Sequence, residues 1–357
     1  MKIAFGGGGT GGHVVPALAI ANQLKLKNHE TIFIGNANSI EERLSLADGN
    51  SFHVIRVQKL YRSLSIRNIL FPYLLLRAVL TARSILNREK PDAVFCTGGF
   101  VSGPVAIAAL LLHIPLFCHE SNSYPGLVTR VLSKHFMCIY ISFEASRKYL
   151  RNSRCQNFGI PIQAPQSSAF KLSSIGLDEL KPIVMISGGS QGSFAINEAI
   201  DAALPELLEK GYQVLWQTGK ATYHRFADKH PAVKGLYIFG FSPDLAQMLK
   251  HVDIAITRAG AMTIAELEEN RIPSILIPLP GAAENHQYYN AIEQQDKGVA
   301  FLLEQKYLNS NSLLESLDTL AGSLDDYKAK LCSLPSNEAA SKITNDLLGQ
   351  IQDRDKQ

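Results

Sequence analysis

No uninterrupted apolar run in this sequence approaches the roughly 20 residues that a bilayer-spanning helix needs. The longest, such as Val105 to Leu112, are less than half that length. Cysteine is scarce. Cys96, Cys118, Cys138, Cys155 and Cys332 are odd in number, widely spaced and without a C-x-x-C pair. That excludes a disulfide framework and reads as buried, reduced thiols in a cytosolic protein. An excess of one charge is also missing, because 35 basic and 32 acidic residues leave a net +3. That is too little to imply a polyanion-binding surface, and a nucleic-acid partner is not expected. Charged residues are only 19% and hydrophobic residues 46%, so global disorder is excluded. Met1 leads at once into the strand-like Lys2-Ile3-Ala4-Phe5, and no leader peptide is expected.

What is present is a repeated pattern. At about 150 residues per domain, 357 residues suggest two domains. Short β-branched or aromatic runs, each followed by a turn and a helical pattern, predict parallel strands buried on both faces. In the first half these are Ile3–Phe5, Thr31–Ile34, Ala93–Cys96, Pro115–Cys118 and Cys138–Ser142. In the second half they are Ile183–Ile186, Val214–Trp216, Leu236–Phe239, Asp253–Ile256, Ser274–Ile277 and Val299–Leu303. The Pro-rich stretch Gly159–Pro165 reads as a linker. The expected fold class is α/β, with two doubly wound, Rossmann-like domains facing a central cleft. The expected domains are 1–160 and 161–335, with 336–357 forming a helix and polar tail that packs back on the first domain.

Glycines concentrate at strand ends. Gly6-Gly7-Gly8-Gly9-Thr10-Gly11-Gly12-His13 follows the first strand and leads to a helix expected near Pro16. Such turns bring backbone N–H groups and a helix N-terminus close to a phosphate. Gly7-x-Gly9-x-x-Gly12 satisfies the dinucleotide fingerprint in form. That fingerprint also expects a carboxylate at the end of the second strand, and here none occurs until Glu41. Thr97–Pro104 and Ser187–Gly192 repeat the design. An empty strand–helix turn explains any one of these, but three together point to a ligand.

From Gly49 to Arg88 there is no acidic residue, whereas Arg56, Lys59, Arg62, Arg67, Arg77, Arg83 and Arg88 give +7. Ile69-Leu70-Phe71-Pro72-Tyr73-Leu74-Leu75-Leu76 lies among them. This is too short to span a bilayer but suited to an anionic membrane surface. The expected membrane-facing residues are Arg62, Arg67, Ile69, Leu70, Phe71, Leu74, Leu75, Arg77 and Arg83. A core helix with solvated arginines is the alternative.

Six segments occur in order: Gly8–His13, Gly98–Pro104, His119-Glu120-Ser121-Asn122, Gly188–Gly192, Arg258–Glu266 and His286-Gln287-x-x-Asn290-Ala291. This set closely resembles the MurG family of bacterial transferases. These have the GT-B architecture and add N-acetylglucosamine (GlcNAc) from UDP-GlcNAc to undecaprenyl-pyrophosphoryl-MurNAc-pentapeptide (lipid I), forming lipid II. The resemblance implies an inverting, metal-independent transfer in peptidoglycan synthesis, without cofactor, at the cytoplasmic face of the plasma membrane. No His/Cys cluster is spaced for a metal, and no Asp-x-Asp motif stands in the strand-end turns.

Residue by residue, the resemblance implies His13 as general base, with Glu120 as rival and a purely positioning role for His13 as the alternative. It implies Thr10, Gly11, Gly12 and Ser190 near the diphosphate, Ala261, Met262 and Thr263 near sugar and diphosphate, and Glu266 on the ribose hydroxyls. A solvated helix position is the alternative for Glu266. Asn122 and Gln287 are implied for GlcNAc hydroxyls and the Ser242 backbone for uracil. Gln163 stands where the family usually has Arg, which removes a charge near the donor. The implied partners are UDP-GlcNAc, lipid I, an anionic membrane and other wall-synthesis proteins. The rival functions are transfer to another lipid acceptor such as diacylglycerol, UDP-GlcNAc 2-epimerisation, a nicotinamide-dependent oxidoreductase and a non-catalytic scaffold.

Overall fold

A computed structural model describes residues 1–58, 69–151, 154–163, 170–189, 191–242 and 244–355. The chain divides into two compact units. One is Met1–Gln163 together with Asn337–Gln357, and the other is Ala164–Ser336.

The first unit is built on a parallel sheet of seven strands: β1 (Lys2–Gly7), β2 (Glu30–Gly35), β3 (Ser51–Val54), β4 (Ala93–Gly98), β5 (Leu116–Glu120), β6 (Cys138–Ile141) and β7 (Cys155–Asn157). Their order is β3-β2-β1-β4-β5-β6-β7, so connections reverse direction between β1 and β4. The intervening helices are α1 (Gly11–Leu26), α2 (Ile40–Ala47), α3 (Phe71–Glu89), α4 (Gly99–Leu111) and α5 (Leu127–Leu132). Successive strand residues serve opposite faces. Ile3 and Phe5 pack with Val14 and Leu18 of α1, whereas Ala4 packs with Val79, Ala82 and Val105 of α3 and α4.

The second unit repeats this plan with β8 (Ile183–Ser187), β9 (Gln213–Gln217), β10 (Leu236–Phe239), β11 (Ile254–Thr257), β12 (Ser274–Leu276) and β13 (Ala300–Leu302). The order is β10-β9-β8-β11-β12-β13, again parallel and reversing between β8 and β11. Its helices are α6 (Phe194–Glu209), α7 (Tyr223–Ala227), α8 (Leu245–Met248), α9 (Ala261–Glu269), α10 (His286–Asp296), α11 (Ser310–Gly322) and α12 (Leu324–Ser333). The last helix, α13 (Ala339–Asp355), belongs to the first unit. Its Ile343, Leu347 and Ile351 are buried among α1 and the first sheet, and Tyr140 donates to Asp346 Oδ2 at 2.7 Å.

Two edge strands, β3 and β7, had no counterpart among the apolar runs. Edge strands are covered on fewer sides, and Ser51-Phe52-His53-Val54 carries exposed and half-buried residues instead of a continuous apolar run. Helix α1 begins at Gly11, not near Pro16. Pro16 lacks the N–H that would bond to Gly12 O, and the Ser121 hydroxyl donates to that carbonyl at 3.4 Å. A proline inside a helix is tolerated here because another side chain supplies the missing donor.

Candidate active site

In the first unit the two glycine turns lie at the carboxyl ends of β1 and β4, where the sheet's connections reverse. This is the position at which open parallel sheets take ligands. The turns interlock. The His13 ring lies against Gly98 and Gly99, so that a Cβ on Gly98 would be 3.0 Å from His13 Cδ2. Gly99 has φ +77° and a Cβ there would fall 2.2 Å from Gly8 O, so only glycine fits. Thr10 Oγ1 and His13 Nδ1 are 3.0 Å apart, and the His13 N–H donates to Thr10 O at 3.1 Å. Thr10 is exposed, and Gly11, Gly12 and His13 are half-buried.

Glu120, at the end of β5, is 4% exposed. Its carboxylate accepts from Asn122 N (3.1 Å), Asn122 Nδ2 (3.3 Å) and Gly126 N (3.0 Å). Burial raises its pKa above the ordinary carboxylate value, while these donors pull it back. Glu120 therefore shapes the loop that presents Asn122. His119 beside it is fully buried, 3.0 Å from Ser142 Oγ and 3.2 Å from Gly159 O through Nε2, and 3.3 Å from Ser121 Oγ through Nδ1. Burial depresses its pKa to about 4, so it stays neutral and structural.

Glu41 answers the question the glycine fingerprint posed. It is 1% exposed and accepts from Gly9 N at 3.1 Å and Asn36 N at 3.3 Å. A carboxylate committed to two backbone amides is not presented to a ribose, and the dinucleotide pattern is one of form only.

The second unit carries a pocket of about 150 Å³ at its own reversal point. Met185, Ser187 and Gly189 of β8 and its turn, Gln217 of β9, and Thr263, Glu266 and Leu267 of α9 line it. Phe241, Leu245 and Leu249 close the remaining side. Ser187 donates to Gln217 Oε1 at 2.7 Å and accepts from Gly189 N at 3.1 Å, which fixes the polar floor. Helix α9 starts at Ala261 behind the uncapped Gly260, with no acidic residue in its first turn. Its leading N–H groups and dipole are left for an anion. Burial alone raises Glu266 to about 7, a carboxylate held half-ionised at neutral pH.

The structure brings Thr263 and Glu266 into this pocket, with Ala261 and Met262 at the head of the same helix. Ser242 accepts from Asp244 N at 3.1 Å, next to the pocket residue Phe241. Gln287 Oε1 accepts from Leu279 N at 2.9 Å, and Gln163 is exposed as the last residue before the second unit. Ser190, Arg62 and Arg67 lie outside the described residues. On α3 the outward apolar side chains are Tyr73, Leu76 and Leu80, preceded by Ile69 and Leu70. Leu74 and Leu75 are half-buried, Leu75 against the core, because the helical period turns residues 75, 79, 82 and 86 inward. Phe71 is half-buried, and Arg77 and Arg83 are exposed.

Residues 3–141 match the glycosyltransferase family 28 N-terminal domain, and residues 183–345 match the glycosyltransferase family 28 C-terminal domain. The chain belongs to glycosyltransferase family 28. A relative from Bacillus licheniformis, a UDP-N-acetylglucosamine–N-acetylmuramyl-(pentapeptide) pyrophosphoryl-undecaprenol N-acetylglucosamine transferase, is 36% identical over 97% of each chain. A protein of the same description from Halalkalibacterium halodurans is 34% identical, over 96% of this chain and 98% of its own. The crystal structure of Acinetobacter baumannii MurG is 26% identical and superposes with a TM-score of 0.76, covering 96% of this chain and 98% of that one. The two-domain α/β architecture is thus that of the GT-B glycosyltransferases. Six pocket residues of this family 28 chain, Met185, Gln217, Phe241, Leu245, Leu249 and Leu267, were absent from the expected site. All but Gln217 are apolar and read as core in a sequence, and only Phe241, directly before the expected Ser242, offered a signal.

Proposed function

We propose that this chain transfers GlcNAc from UDP-GlcNAc, with inversion, to the MurNAc 4-hydroxyl of lipid I, forming lipid II in peptidoglycan synthesis. The end-to-end similarity to transferases of that description carries the reading. The acceptor O–H loses its proton to His13 while its oxygen attacks the anomeric carbon. The bond from that carbon to the β-phosphate oxygen breaks, and UDP leaves with the electron pair. His13 suits the base role because an imidazole titrates near working pH and its ring is fixed by Thr10 and the second glycine turn. Glu120 is the weaker candidate, since donors on Asn122, Gly126 and Thr129 already hold its carboxylate.

In this reading the pocket of the second unit takes the donor. Glu266 accepts from the ribose hydroxyls, and the N-terminal amides of α9 meet the leaving diphosphate without a divalent metal. Asn122 and Gln287 serve the sugar hydroxyls. Among the described residues no helix is long and apolar enough to cross a membrane. The exposed Ile69, Leu70, Tyr73, Leu76 and Leu80 beside Arg77 and Arg83 support peripheral attachment to the cytoplasmic membrane face, where the lipid-linked acceptor resides.

Base and donor roles separate by mutation. His13→Ala should lower kcat by roughly two to four orders of magnitude while UDP affinity stays within about two-fold. Glu266→Ala should instead weaken UDP binding by about ten-fold or more. Equal losses of turnover and UDP affinity in His13→Ala would make it a binding residue, and unchanged UDP affinity in Glu266→Ala would remove it from the ribose.

A further inference from the structure

We propose that Glu41 is a positioning residue of the transfer: its buried carboxylate is the post around which the first glycine turn folds, and it acts through His13. The proposal rests on the reading of His13 as the base. Glu41 stands in the first turn of α2, yet capping of that helix is done by its neighbours. Ser39 Oγ accepts from Glu42 N, and Glu42 accepts from Asn38 N at 2.5 Å. Glu41 turns away from its own helix instead. One carboxylate oxygen takes the amide of Asn36, in the turn after β2, and the other takes the amide of Gly9, in the turn after β1.

The backbone is fitted tightly around this group. A Cβ on Gly8 would lie 2.5 Å from Glu41 Cδ, and one on Gly35 would lie 2.7 Å from Glu41 Cγ. The carbonyl of Gly8 in turn abuts Gly99, so the Gly8 peptide is clamped between the carboxylate and the second glycine turn. Thr10 follows Gly9 directly, and its hydroxyl and carbonyl hold the His13 ring and amide. The path from Glu41 to His13 is therefore two hydrogen-bonded steps joined by the Gly9–Thr10 peptide, within one turn. A carboxylate is required because two N–H donors face it, one per oxygen. A glutamine can accept only one and must set its NH₂ against the other. Burying a charge to organise two amides is costly unless the geometry gained is used.

The test measures kcat and the KM for UDP-GlcNAc with a soluble lipid I analogue, for Glu41→Gln, His13→Ala and the double variant. Glu41→Gln should lower kcat about ten-fold or more, because small misplacements of a catalytic group are expensive, with KM changed less than about three-fold. The double variant should turn over no more slowly than His13→Ala, since a residue acting through His13 has nothing left to position. Gly8→Ala attacks the same turn from the other side, since its methyl meets the carboxylate in a backbone region open to any residue. It should reproduce the Glu41→Gln phenotype and serves in its place if that variant does not fold. Unchanged kcat in the folded variants overturns the proposal, as does a loss that multiplies with that of His13→Ala. Normal turnover in His13→Ala alone overturns the base assignment, and is seen without any Glu41 variant.

Discussion

Glu266, proposed above for the ribose, carries a cost in stability that follows from its burial. Its carboxyl sits in a pocket whose burial raises it to about 7, against an ordinary 4.5. The folded protein therefore binds the proton more tightly than the unfolded chain does between these values. Stability falls as pH rises through that window, and the cost of the buried charge is fully present above pH 7. Glu266→Gln should accordingly raise Tm more at pH 8 than at pH 5. If the ionised carboxylate takes the ribose hydroxyls, affinity for uridine, which carries no phosphate to titrate, should rise in the native protein from pH 6 to pH 8. That rise should vanish in Glu266→Gln. A Tm gain equal at both pH values would show that the carboxyl is not held near 7, and a pH-independent native affinity would separate it from the ribose. Nothing in the sequence signals this titration. Glu266, Glu268 and Glu269 look alike in the chain, and only the fold buries the first among apolar pocket residues.

At the scale of elements, the central strands and glycine turns were readable because strands covered by helices on both faces must be apolar throughout. The first sheet's edge strands β3 and β7 were not, since partial cover relaxes that demand. The helix start at Gly11 was hidden by Pro16, whose missing donor is replaced by Ser121, 109 residues from Gly12 in sequence. The basic and apolar character of α3 was readable, but the rotation of the helix was not. The inward set followed only once the partners in α4 and the first sheet were known. Its exposed Tyr73, Leu76 and Leu80 give a direct test. Leu76→Ser with Leu80→Ser removes two exposed apolar side chains, each worth up to about 1.5–3 kcal/mol on full burial. Co-sedimentation with anionic vesicles should fall by about ten-fold or more while Tm is held, because neither side chain is in the core. Undiminished sedimentation would take α3 off the membrane surface.

At the scale of the molecule, the chain resolves into two units with one plan, each with its candidate site residues at the reversal point of a parallel sheet. The first unit is completed by α13, whose Ile343, Leu347 and Ile351 finish the core begun by Ile3 and Phe5. The sequence suggests that closure without specifying its partners, because an amphipathic last helix does not name the surface it covers. In the proposed reading the division of labour follows the same plan, with base chemistry in the first unit and donor binding in the second. Transfer to lipid I stands or falls on UDP release from UDP-GlcNAc by the purified chain, measured with and without a short-chain lipid I analogue, in EDTA. Release should depend on the acceptor and yield a β-1,4-linked disaccharide, undiminished by the chelator. Release without acceptor, or none in either tube from a folded protein that still binds UDP, would overturn the assignment.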